Sequence, residues 1–101
     1  MHNMKALPIL SDRIEYGDDA VAHVVVWAVP KPVPPTRHGY KYRLAYVVNG
    51  ACVLRFDNER GKGDHKHVGS VETDYDFTTL DALIDDFTAE IARWNHENGL
   101  V

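Results

Sequence analysis

Residues 56–67 gather more chemically useful side chains than any other stretch of this 101-residue chain. Asp57, Glu59 and Asp64 supply carboxylates, Arg60, Lys62 and Lys66 supply cations, and His65 and His67 supply imidazoles. Imidazole is the side chain that trades protons near neutral pH, which makes His65 and His67 a candidate acid and base. Arg60 and Lys62 can hold a phosphate, the first bidentately and the second as a point charge. Glu59 or Asp64 can take a proton or orient a ring. The six residues Glu59, Arg60, Lys62, Asp64, His65 and His67 therefore form a candidate catalytic set for an anionic substrate. The same region, with Asp57 added, offers oxygen and nitrogen donors suited to a metal ion. Its spacing matches no strong zinc pattern, and Arg60 and Lys62 oppose a cation, so neither a metal nor any other cofactor is assigned. A solvated hairpin tip is the plain alternative, because charged residues around Gly61 and Gly63 are also what such a tip looks like.

Those groups must be carried by strands. His65 and His67 stand two apart, the spacing that puts both on one face of a strand. Upstream, residues 39–48 alternate: Tyr40, Tyr42, Leu44, Tyr46 and Val48 on one side, Lys41, Arg43, Ala45 and Val47 on the other. Asn49 and Gly50 follow, the strongest short hairpin signal, and predict a two-residue type I′ turn into a strand over residues 51–57. An undistorted hairpin sets Tyr46 opposite Val53, Leu44 opposite Arg55, Arg43 opposite Phe56 and Tyr42 opposite Asp57. Tyr40, Tyr42, Arg55 and Asp57 should then share one face beside the charged stretch.

Elsewhere, residues 7–16 predict a first strand, Gly17 to Asp19 a turn, and residues 20–29 a strand apolar on both faces. His23 within it is expected to be a buried, hydrogen-bonded histidine. Residues 30–35 hold four of the five prolines and predict a stiff connection. Residues 65–71 predict a short last strand and residues 72–78 a loop. Leu80, Leu83, Ile84, Phe87, Ile91 and Trp94 recur at helical spacing, with Thr78 or Thr79 as cap and Gly99 past the end. The class expected is α+β: an antiparallel sheet of four or five strands with one C-terminal helix packed on one face.

Length and composition fit one domain over residues 1–101. The lone Cys52 excludes an intrachain disulfide, fits a reducing compartment, and lies in an apolar run that suggests an inert buried thiol. Residues 1–10 resemble neither a signal peptide nor a membrane span, so a soluble cytoplasmic protein is expected. The net charge is −4, yet residues 20–56 carry Lys31, Arg37, Lys41, Arg43 and Arg55 with no acid. Residues 68–101 carry eight acids against Arg93. The acid-free third suggests a surface for an anion; scattered pairing of its bases with the acidic third is the alternative.

Trp27 to Pro30, the proline-rich loop, His38 to Tyr42 and above all residues 57–67 resemble the TumE family of toxins, and the likeness runs in order through nearly the whole chain. The resemblance implies a small cytoplasmic toxin of a two-gene toxin–antitoxin module, with a helix-turn-helix DNA-binding protein as antitoxin. It implies no assigned catalytic residues. Read with the residues, it favours an endoribonuclease that works without metal. Metal-free RNA cleavage needs a base for the 2′-hydroxyl, an acid for the leaving oxygen and cations for the phosphate. Arg37, Tyr40, Lys41, Tyr42, Arg43 and Arg55 are then the candidate substrate-binding residues, the two tyrosines by stacking on bases. The alternatives are a metal-dependent site, or a non-catalytic module whose hairpin contacts the antitoxin, nucleic acid or a second copy along an edge strand.

Overall fold

The strands follow one another in space as they do along the chain. In the computed structural model, which describes residues 5–100, β1 (Leu7–Gly17), β2 (Ala20–Ala28), β3 (Tyr40–Val48), β4 (Ala51–Glu59), β5 (Gly63–Val68) and β6 (Val71–Asp74) form one antiparallel sheet in sequence order. The helix α1 (Leu80–Glu97) comes last. The α+β class stands, with six strands in place of four or five. The additional strand arises because Gly69, at φ +62°, lets the chain turn after Val68 and pair Val71 back against it. Residues 1–4 and 101 lie outside the described residues, so the reading of residues 1–10 is covered only from Lys5. Among the described residues no helix is long and apolar enough to cross a membrane.

The helix covers one face of the sheet. The Thr79 hydroxyl accepts from the Ala82 N–H at 3.1 Å and caps it. Leu83, Phe87 and Ile91 are buried against Leu44, Tyr46, Leu54 and Phe56, with Leu80, Ile84 and Trp94 packed at the margin. The opposite face, here the open face, carries no helix. Its alternation exposes His23, contrary to the expectation of a buried histidine, and Cys52 at the start of β4 is exposed as well.

Asn49 (φ +51°) and Gly50 (φ +79°) make the expected turn, and Val48 pairs with Ala51. Beyond that the expected register fails. A bulge between the Val47–Cys52 and Tyr46–Leu54 pairs sets Leu44 opposite Phe56, Ala45 opposite Arg55 and Arg43 opposite Asp57. The cause is the core. Leu54 and Phe56 are fully buried under the helix, worth about 1.5–3 kcal/mol each. The undistorted register would have exposed both and driven Arg55 and Asp57 inward at a cost of several kcal/mol. The bulge therefore sends Arg55, Asp57 and Glu59 to the open face and leaves Tyr40 and Tyr42 on the other.

Candidate functional site

Asp64 and His65 are neighbours in β5, so they face opposite sides of the sheet. Asp64 looks to the helix side. Its Oδ1 accepts from the Thr36 hydroxyl at 2.6 Å, and its Oδ2 lies 2.7 Å from both the Tyr42 hydroxyl and His38 Nε2. The other His38 nitrogen accepts from the Tyr40 N–H, and the ring stacks on Phe77 at 3.8 Å between centroids. Burial first, then the bond to Asp64, pushes the Tyr42 phenol far above its ordinary value, so it stays a protonated donor. Every strong donor and acceptor in this cluster is used. Asp64 ties the loop before β3 to β5, with both carboxylate oxygens and both His38 nitrogens engaged inside the cluster. Tyr42 is fully buried and cannot stack on a base.

Next to it, Asn58 repairs the ladder where the β3–β4 pairing ends. Its side chain accepts from the Tyr42 N–H at 3.0 Å and donates to the Tyr40 carbonyl at 2.7 Å, while Lys41 Nζ donates to its backbone carbonyl. The charged turn is held from outside by the proline loop. Gly61 N–H donates to the Pro34 carbonyl at 2.8 Å, and a Cβ on Gly63 would stand 3.1 Å from Pro35 Cγ.

The open face holds the second cluster. The pairs Asp57–His65, Arg55–His67 and His67–Glu72 bring β4, β5 and β6 side chains together. His65 Nε2 lies 2.8 Å from Asp57 Oδ1, 3.4 Å from Glu72 Oε2 and 3.7 Å from Glu59 Oε1. His67 Nε2 lies 3.3 Å from Glu72 Oε2 and 2.8 Å from Arg55 Nη2. Arg55 Nε stands 3.2 Å from Asp57 Oδ2. The His65 ring is anchored by Nδ1, 3.0 Å from the Gly63 carbonyl, so that nitrogen carries the proton. Despite their closeness, His65 Nε2 and Asp57 Oδ1 are not aligned for a hydrogen bond, and both are buried without another partner. Lys62 Nζ bonds Glu72 Oε2 at 2.8 Å; this bond holds the Glu72 carboxyl below its ordinary value and the Lys62 ammonium above its own. Lys62, His65, Glu72, Thr73 and Asp74 line an open depression at this edge.

The structure thus brings together Glu59, Lys62, His65, His67 and Arg55 and separates them from Asp64, Tyr40 and Tyr42. Arg60 is exposed in the turn, and Arg37 is exposed in the loop on the other side. Lys41 and Arg43 share the open face, Arg43 exposed and paired across to Asp57. Two contributors escape the sequence reading. Asp57 enters it only as a metal donor and a hairpin residue, and Glu72 falls in a segment read as a loop. The signal for Glu72 was present: Gly69 and Ser70 mark a turn, after which Glu72 and Asp74 resume the alternation of His65 and His67.

No curated protein and no solved structure matches the chain. A family model described as Toxin TumE matches residues 5–95, a span that contains the whole sheet and both clusters, so the chain belongs to the TumE toxin family.

Proposed function

We propose that this chain is the toxin of a type II toxin–antitoxin module and that it cleaves RNA at its open face. The observation that carries the reading is the convergence, on β4, β5 and β6, of unpaired buried acceptors with cations. His65 and Asp57 present lone pairs, and Arg55, Lys62 and Arg43 stand beside or opposite them. Phosphodiester cleavage needs that pairing of proton acceptor and phosphate clamp. Glu59, at the rim with its side chain 45% exposed, is the proton acceptor for the 2′-hydroxyl in this reading. Arg43, Arg55 and Lys62 hold the phosphate. In its imidazolium form, His65 or His67 supplies the proton that the leaving oxygen needs. Trp27 takes the stacking role first given to the tyrosines. It is half-buried on the open face, opposite Lys41 and two strands from β4, roughly 10 Å away.

The partner in this reading is a helix-turn-helix antitoxin, and the site of action is the cytoplasm. The test is incubation of the purified chain with single-stranded RNA, with and without chelator. Cleavage that falls by at least ~100-fold in His65→Ala supports the reading. RNA left intact under all conditions overturns it. In cells, His65→Ala and Glu59→Gln should abolish growth inhibition while the variants still co-purify with antitoxin; joint loss of both would make this face the antitoxin interface.

A further inference from the structure

We propose that Asp57, His65, His67 and Glu72 bind one divalent first-row transition cation on the open face of β4, β5 and β6. The donors come from three adjacent strands, fixed by ladder register and not by a flexible loop. One ligand atom from each of Asp57, His65 and His67 lies within 4.8 Å of the others. Three of the separations inside the four-residue set match those of a coordination shell. Bonds of about 2.1 Å place adjacent ligands about 3.0 Å apart in an octahedron and about 3.4 Å apart in a tetrahedron. The His65–Asp57, His67–Glu72 and His65–Glu72 separations are 2.8, 3.3 and 3.4 Å.

Two independent features point to a ligand. First, His65 and Asp57 have side chains only 3% and 9% exposed, and each aims a buried polar atom at the other without a hydrogen bond. Two facing lone pairs at that distance repel unless a cation or proton joins them. Second, the His65 ring donates its other N–H to the Gly63 carbonyl. That outer contact fixes the tautomer and is the usual companion of a ligating histidine. Mixed imidazole and carboxylate donors suit zinc, manganese or iron better than magnesium or calcium.

Charge supports the same conclusion. Around the depression stand Asp57, Glu59, Glu72 and Asp74 against Arg55 and Lys62. That excess of acids opposes a phosphate, and one dication offsets it. Arg55 and Lys62 now hold His67 and Glu72 with side chains 29% and 51% exposed, so both can swing aside as the ion enters. With both imidazoles taken as ligands, the metal-independent scheme gives way to one in which Glu59 is left as proton acceptor. The proposal rests on donor geometry and does not require RNA as the substrate.

The test uses the full chain, stripped with chelator and dialysed, then titrated with Zn²⁺ and Mn²⁺ by calorimetry and with Co²⁺ by visible absorption. One ion per chain, with ligand-field bands on cobalt loading, is expected. His65→Ala should weaken binding at least 100-fold. Glu72→Gln, at a half-exposed position that leaves the fold intact by circular dichroism, should weaken it at least 10-fold, while Asp81→Asn on the helix leaves it unchanged. No saturable heat and no cobalt bands, or Glu72→Gln and His67→Gln both binding like the parent, overturns the proposal. Metal binding in a chain that leaves RNA intact upholds it and overturns the RNA reading instead.

Discussion

Asp64 accepts from Thr36 and Tyr42 and pairs with His38, whereas His65, one residue on, keeps a nitrogen unspent. The contrast separates a carboxylate with both oxygens engaged from an imidazole with a nitrogen to offer. Replacing Asp64 with Ala leaves three partners unmatched near the core. We expect a loss of roughly 2–4 kcal/mol, since each stranded buried group costs about 1–3 kcal/mol with partial relief from water. Urea denaturation measures this. RNA cleavage per folded molecule should change little, because Asp64 faces away from the open side. A variant of parental stability but without activity would return Asp64 to the catalytic set where the sequence reading placed it.

At the scale of elements, the β4–β5 turn decides where the site sits. Gly61 and Gly63 both hold positive φ, +87° and +78°. Only Gly63 also meets a neighbour, the Pro35 ring. A left-handed conformation costs an ordinary residue about 1–2 kcal/mol, so Gly61→Ala should lose about that much. Gly63→Ala should lose more, because Pro35 sits on a loop tied to the same turn. Thermal or urea melts of the two variants give the comparison, and equal losses would show that the proline loop yields freely. The bulge in β4 belongs to this scale as well. Its cue was the run Cys52, Val53, Leu54, where apolar residues stop alternating, but a turn-based register treats the strand as regular.

Across the whole molecule, three bases of the acid-free third gather on one face. The bases Lys41, Arg43 and Arg55 of the acid-free third stand on the open side, while Asp81, Asp85 and Asp86 lie exposed on the helix. Among the described residues, none of Lys31, Arg37, Lys41 or Arg43 forms an ion pair with the acidic C-terminal third; the pairs to that third come from Lys62, Lys66, His65, His67 and Arg93. This favours the anion surface over scattered pairing. RNA affinity should accordingly fall as salt rises from about 50 to 200 mM, and Arg43→Ala should flatten the log–log slope by about 0.7, one phosphate contact on a single strand. Fluorescence anisotropy across that range reads the slope. A slope unchanged by the substitution removes Arg43 from the path of the chain.

All the elements but β6 were legible from the residues alone. The apolar run of β2, the alternation of β3, the Asn49–Gly50 turn and the stripe and cap of α1 are local properties, set by neighbours a few positions away. The crowding of acids, bases and imidazoles into residues 57–67 was equally plain. What the tertiary structure decided is which of them meet. Burial of Leu54 and Phe56 under a helix some 30 residues later forced the bulge that turned Arg55 and Asp57 outward, and the pairing of β6 recruited Glu72. Side assignment in a sheet has a period of two, so one extra residue, selected by a distant core, reverses it; no local pattern contains that information.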